Sequence, residues 1–272
     1  GSGSGSHGNV NVSEALEVSC NYFFYTVAYR MNKGAGDLSG INTLNKYMEA
    51  FGLNSPTGVE ISELYDSMSQ YPTHISSPEY KKYITQQRDV EAKESDYKWS
   101  AGDTIRTAIG QSYNNYTSAL MSKYVATLAN GGTRYSMHFL NKITTNDGKI
   151  EEEYQPKVES KIEIKKENLD AIFRGMFLVT TGPRGTLRSY FKDFPVNVAA
   201  KSGTAQQSSK RSEHTTFVAF APLEDPQISV CVIIPFGNGT TGPAPKVAKA
   251  AISEYLKLDY EPELKSYDTL LH

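Results

Sequence analysis

Two short runs of residues carry the chemistry that this sequence could perform. Ser19-Cys20-Asn21 sets a hydroxyl and a carboxamide two positions apart, and Lys201-Ser202-Gly203-Thr204 sets an ammonium beside two hydroxyls. A hydroxyl can relay a proton, a carboxamide offers donor and acceptor on one short arm, and an ammonium forms strong charge-assisted bonds to a carboxylate. Each run also has a plain reading: Ser-x-Asn is a common helix cap or Asx turn, and a lysine in a strand is common on a solvated edge. Gly203 adds something to the second run, because a glycine leaves the strand surface bare enough for another backbone to lie against it. Cys20 and His214 are residue types that zinc takes and are the candidates for a metal, although no paired ligand spacing requires one.

The elements that must position these residues follow from periodicity and breakers. Apolar residues recur at helical spacing from Val10 to Met31 (Val12, Leu16, Phe23, Phe24, Val27), which predicts two short helices meeting near Ser19, with Ser13 as the N-cap of the first. Ile41 to Phe51 predicts a helix ended by Gly52, and residues 60 to 98 read as polar, irregular surface. Thr117 to Leu128 predicts a helix stopped by Asn130-Gly131-Gly132, followed by a hairpin at Asn146-Asp147-Gly148. Lys166 to Val179 predicts a long helix with Leu169, Ile172, Phe173, Met176 and Phe177 on one face. The last third changes period. Asn197 to Ala205, Thr215 to Leu223 and Ile228 to Phe236 are β-rich runs, closed by a helix over Pro245 to Leu256. Three consecutive strands with helices before and after predict an α+β fold built on an antiparallel sheet flanked by helices. Gly182-Pro183-Arg184-Gly185-Thr186 reads as a turn, and Gln207 to Glu213 as a polar connection between strands.

The totals narrow the function classes. The chain has 272 residues, 39% hydrophobic and 21% charged, enough to bury one large core as a single domain, with two smaller ones as the other arrangement. A formal charge of −2 provides no basic field for phosphates, which argues against nucleic acid as a partner. The longest apolar runs are strand-sized, well short of the roughly 20 residues of a spanning helix. Two cysteines do not make a disulfide framework. Gly1 to Ser6 read as a flexible Gly/Ser linker of the engineered kind, leaving residues 7 to 272 for the fold.

The order of the two runs and their separation of 182 positions (201 minus 19) resemble the second and third motifs of the serine acyltransferases that include penicillin-binding proteins and class A β-lactamases. The similarity is fullest to class B penicillin-binding transpeptidases and covers nearly all of residues 7 to 258. His7 to Val12 leading into Ser19 to Tyr25, Ala101-Gly102-Asp103 through Ile109 to Thr117, Ala126 to Gly132, and His214 to Pro222 with Pro226 to Ile234 all look like that class, the His214 phrase leaning toward the elongation type.

The resemblance implies acyl transfer from a D-alanyl-D-alanine stem peptide to an amine of a neighbouring strand, through a serine activated by a lysine in a Ser-x-x-Lys motif. Nothing ahead of Ser19 fits that motif, so the expectation is that this segment lies upstream. Ser95-Asp96-Tyr97-Lys98 and Ser189-Tyr190-Phe191-Lys192 match its spacing from the wrong side. It further implies that Ser19 relays a proton, Asn21 holds the substrate amide, and Lys201 places positive charge over the cleft. Ser202 and Thr204 would meet the terminal carboxylate, Gly203 would let the peptide lie close, and the Thr204 N–H would supply half of the oxyanion hole. Ser202 stands where threonine is more usual, keeping the hydroxyl and losing a methyl. No cofactor is required. The implied partners are stem peptides, β-lactams, a membrane-bound glycosyltransferase and morphogenesis proteins, at the extracytoplasmic face of a bacterial membrane and anchored by an upstream helix. The rival reading is a non-catalytic penicillin-binding sensor or scaffold. A β-lactamase is disfavoured because no carboxylate is placed to activate a deacylating water.

Overall fold

A computed structural model describes residues 7–34, 36–61, 73–205, 212–237 and 242–260. They divide into two compact units, one formed by residues up to Ser19 together with those from Lys166 onward, the other by Cys20–Lys165.

The first unit holds the sheet. β5 (Ala199–Ala205), β6 (His214–Ala221) and β7 (Ile228–Ile234) pair antiparallel in the order β5-β6-β7, with Lys201 opposite Val218 and Gly203 opposite Thr216. Because side chains alternate across a strand, Ala200 and Ser202 share one face with Phe217 and Ala219, while Lys201 and Gly203 share the other with Val218 and Phe220. The first face is buried against Ala244, Ala248 and Ile252 of α10 (Ala244–Leu256), together with Leu187 and with Phe191 of α9 (Arg188–Phe191). On the second face the Phe220 ring lies 4.9 Å from Phe173 of α8 (Lys166–Thr181). Fully burying side chains of this size contributes about 2 kcal/mol each, so this core carries the unit.

The short helix α1 (Val12–Glu17) is fixed on α8. Asn11, in extended conformation, caps α1 in a reciprocal box with Glu14. Ser13, expected as the cap, is instead buried inside the helix and donates its hydroxyl to the Ala171 carbonyl at 2.7 Å. A Cβ on Gly175 would come 2.6 Å from Leu16 Cδ1, so the two helices touch where glycine leaves room.

The second unit is mostly helical. It contains α2 (Asn21–Met31), α3 (Ser39–Ala50), α4 (Pro78–Arg88), α5 (Glu94–Tyr97), α6 (Ala101–Thr107) and α7 (Ser118–Ala129). Two small antiparallel pairs accompany them, β1 (Thr133–Tyr135) with β4 (Val158–Lys161) and β2 (Lys142–Thr144) with β3 (Ile150–Glu153), the latter turning at Gly148 with φ +84°. The stretch expected to be irregular, 60 to 98, corrects to two helices where it is described. Ser77 caps α4 by accepting the Tyr80 N–H, and Pro78 occupies its first turn, a start signal that the polar composition hid. Residues 62–72 lie outside the described residues.

Ionic networks hold this unit together. Lys81 is buried and donates to Asp103 at 2.9 Å and to the Lys98 carbonyl at 2.7 Å, and Asp103 also accepts from Ser100 and Arg106. Burial pushes the Asp103 carboxyl up, but the bonds from Lys81 and Ser100 outweigh it and leave its pKa below the ordinary value. Lys123, also buried, donates to the Thr57 carbonyl at 2.8 Å and to Glu159 at 2.7 Å. The loop after α6 is strapped by paired bonds between His74 and Asn115 and by Ser76, which donates its N–H to Asn114 Oδ1 and accepts the Tyr113 N–H.

Candidate active site

At the end of α1 the chain turns through Ser19, whose φ of +53° is left-handed, a conformation that costs a non-glycine residue about 1 kcal/mol. Its N–H closes on the Leu16 carbonyl at 3.2 Å, as at a helix C′ position, and its side chain is held out in the open. From the sheet, Lys201 meets it. The ammonium donates to Ser19 Oγ at 2.8 Å and to the carbonyl of Ser202 at 2.7 Å. Two residues 182 positions apart are thus joined by one hydrogen bond.

Lys201 is half-buried, yet protein surrounds its ammonium closely enough that burial lowers its pKa from the ordinary 10.5 to about 8. An amine poised near neutrality can hold a charge or exchange a proton. Because the Ser19 oxygen accepts from Lys201, the Ser19 hydroxyl retains its own proton to give to another group. The pair is therefore equipped to relay a proton and to present positive charge at one place.

The rest of the third motif lies along β5, which among the described residues borders only β6 and is an edge of the sheet. Gly203 has room on its own side: an added Cβ would meet Thr216 Cβ at 3.6 Å and Thr216 O at 3.8 Å, which is ordinary contact. Packing within the unit does not demand a glycine there. Ser202 is 5% exposed, and its Oγ has no hydrogen-bond partner among the described residues, a state that buried hydroxyls rarely keep. Thr204 is half-buried opposite Thr215.

The second motif continues into the other unit, where Cys20 is buried as the N-cap residue of α2 and Asn21 opens that helix, exposed. His214 starts β6 and accepts the Phe236 N–H at Nδ1, 3.2 Å away. Among the described residues no group of three or more His, Cys, Asp and Glu side chains could hold a metal. Ser95 with Lys98 and Ser189 with Lys192 fall at the short helices α5 and α9, and all four are exposed. Of the connection from Gln207 to Glu213, residues up to 211 lie outside the described residues, and Ser212 and Glu213 are exposed.

Sequence reasoning missed Glu17. It is buried at the end of α1, two residues before Ser19, and accepts the Arg184 N–H at 2.9 Å from the Gly182 to Thr186 turn. The available signal was a carboxylate one helical turn after Ser13, which is also buried.

Residues 2–254 match the family of the penicillin binding protein transpeptidase domain. Peptidoglycan D,D-transpeptidase MrdA of Escherichia coli strain K12 is 32% identical over 266 residues, which cover 93% of this chain and 38% of that protein. Among solved structures, Pseudomonas aeruginosa PBP2, crystallised in complex with WCK 5153, has a TM-score of 0.69 at 29% identity, covering 94% of this chain and 51% of that one. Penicillin-binding protein 2B of Streptococcus pneumoniae strain R6 has a TM-score of 0.72 at 23% identity over 93% of this chain and 40% of that one, a likeness of fold. The chain therefore spans about two-fifths of the length of the curated relative it matches. The α+β fold with its antiparallel sheet agrees with these neighbours, and the class B resemblance with its elongation-type leaning agrees with the relatives. With its two motifs joined through Ser19 and Lys201 and a family match over nearly its whole length, this chain belongs to the penicillin-binding protein transpeptidase domain family.

Proposed function

We propose that residues 7–272 form the bulk of a serine D,D-transpeptidase domain that cross-links peptidoglycan stem peptides and is acylated by β-lactams. The observation that carries this reading is the Lys201 to Ser19 bond at 2.8 Å, which puts a proton relay and a low-pKa ammonium beside an edge strand with a bare glycine. A D-alanyl-D-alanine tail would lie along β5 over Gly203. Its carboxylate would be bound by Lys201 with the Ser202 and Thr204 hydroxyls, Ser202 Oγ having no hydrogen-bond partner among the described residues. Asn21 would hold the amide of the stem.

The nucleophile is a serine of a Ser-x-x-Lys segment upstream of His7. Its hydroxyl, giving its proton to the lysine of the same segment, attacks the carbonyl between the two D-alanines; the tetrahedral oxyanion rests on the serine's own N–H and that of Thr204, and the C–N bond breaks as Ser19 passes a proton to the departing amine and regains one from that lysine. An incoming amine then attacks the acyl-enzyme and restores the serine. This chemistry uses side chains alone and requires no cofactor.

The resemblance extends the proposal to the protein's setting. One structural neighbour, PBP2 of Helicobacter pylori, was solved in complex with MreC, and another structure is that of a peptidoglycan synthase complex. Partners of that kind, a morphogenesis protein and a membrane-bound glycosyltransferase, fit a domain working at the extracytoplasmic face of a bacterial membrane from an upstream anchor. No helix among the described residues is long and apolar enough to cross a membrane.

The test is labelling by a fluorescent penicillin of a longer form of the chain that carries the Ser-x-x-Lys segment. Stable labelling with slow release is the expected result. No labelling would replace this reading with the non-catalytic scaffold, and rapid hydrolysis would replace it with a β-lactamase.

A further inference from the structure

Glu17 has no part in the chemistry proposed above, yet it is placed where it can govern it. Its side chain is 4% exposed at the last position of α1, and a buried carboxylate is costly unless it is bonded. The bonds come from the Gly182 to Thr186 turn: the Arg184 N–H donates to Oε1 at 2.9 Å, and the Arg184 guanidinium stands 3.8 Å from Oε2. The turn is shaped to receive that carboxylate. A Cβ on Gly182 would lie 2.3 Å from Glu17 Oε1, and one on Gly185 would lie 2.4 Å from the Leu178 carbonyl. Neither glycine has a left-handed φ, so it is the missing side chain that both positions use.

The other anchors of α1 lie further from the motif, Ser13 on the Ala171 carbonyl and Leu16 on Gly175. Glu17 is the anchor nearest to Ser19, and only Val18 separates them. Ser19 itself sits in a strained corner, and such a conformation persists only when its surroundings over-determine it. We infer that Glu17 is a positioning residue, whose buried carboxylate locks the Gly182 to Thr186 turn to the end of α1 and so holds the Ser19 hydroxyl against the Lys201 ammonium. The purpose of this device rests on the acyl-transfer reading, but its test reads the Ser19–Lys201 contact without substrate, so either can fail alone.

The experiment is a pH titration of the Lys201 Cε resonance in the 272-residue chain, assigned with Lys201→Arg, for wild type, Glu17→Ala, Glu17→Gln, Glu17→Asp and Arg184→Ala, each with a thermal melt. Glu17→Ala is expected to free the corner, admit water to the ammonium and raise the Lys201 midpoint by about one pH unit or more. Glu17→Gln keeps an oxygen for the Arg184 N–H, and Arg184→Ala keeps that N–H, so both should stay within about 0.3 of wild type. Glu17→Asp keeps the charge on a shorter arm and should raise the midpoint as Ala does, which decides the matter if the Ala variant does not fold. A wild-type midpoint in Glu17→Ala or Glu17→Asp, alongside a lowered melting temperature, would reduce Glu17 to a structural role. A shift in Glu17→Gln as large as in Ala would show that charge, not position, is what matters.

Discussion

Replacing Lys201 by methionine should make the protein more stable at neutral pH and less so, by comparison with wild type, as the solution turns alkaline. In the native state the ammonium titrates at about 8 because burial opposes its charge, whereas in the unfolded chain it returns to 10.5. At about 1.4 kcal/mol per pH unit, that gap is a penalty of about 3 kcal/mol, borne in full below pH 8 where both states are protonated. Between pH 8 and 10.5 the unfolded state binds the extra proton, so stability rises with pH, and above 10.5 the penalty is gone. Methionine fills a similar volume without the charge but forfeits the bonds to Ser19 and to the Ser202 carbonyl, about 1 kcal/mol each. The net expectation is a gain of about 1 kcal/mol for Lys201→Met at pH 7, turning to a loss by pH 10. Urea unfolding of both proteins at pH 7, 8, 9 and 10 measures it. A difference that does not change across that range would mean that Lys201 titrates normally and would refute the account of its environment.

Three further substitutions follow from the same geometry. Gly203→Ala adds a methyl at ordinary contact distance from Thr216, so its melting temperature should stay within about 2 °C of wild type while penicillin labelling of the longer form falls at least tenfold. Ser112 holds a left-handed φ of +74° with a buried hydroxyl that has no partner among the described residues, so Ser112→Gly should stabilise by about 1 kcal/mol in denaturant unfolding. Lys81→Met leaves the Asp103 carboxylate buried without its lysine and should cost about 3 kcal/mol at pH 7. Because Asp103 has a lowered native pKa, that loss should shrink as pH falls through the acid range and the carboxylate is protonated, which the same unfolding curves in acid would reveal.

What was legible in the sequence was what local pattern determines. The three strands, α8 and α10 follow from runs whose period or composition is strong, and the break near Ser19 from two short runs of helical spacing that meet there. The Ser77-Pro78 start of α4 is hard to see in sequence because the helix buries only Lys81 and displays no apolar stripe. Pairing of β1 with β4 brings together residues 133 and 161, a contact that neither three-residue segment announces alone. The two motifs were visible by residue type, but the low pKa of Lys201 depends on the atoms packed around it, and the role of Glu17 depends on a turn 167 positions away. Ser13 illustrates the limit in reverse, being a good cap by type that the backbone left for Asn11 while its hydroxyl found α8.

In the proposed acylation Ser19 and Lys201 act as one unit. The direct measurement is a double-mutant cycle on the rate of penicillin labelling of the longer, Ser-x-x-Lys-bearing form, with Ser19→Ala, Lys201→Ala and the pair. A joined proton relay predicts a fall of about 100-fold or more for each single variant and little further loss in the double. Losses that multiply, or a Lys201→Ala variant that labels at the wild-type rate, would contradict it.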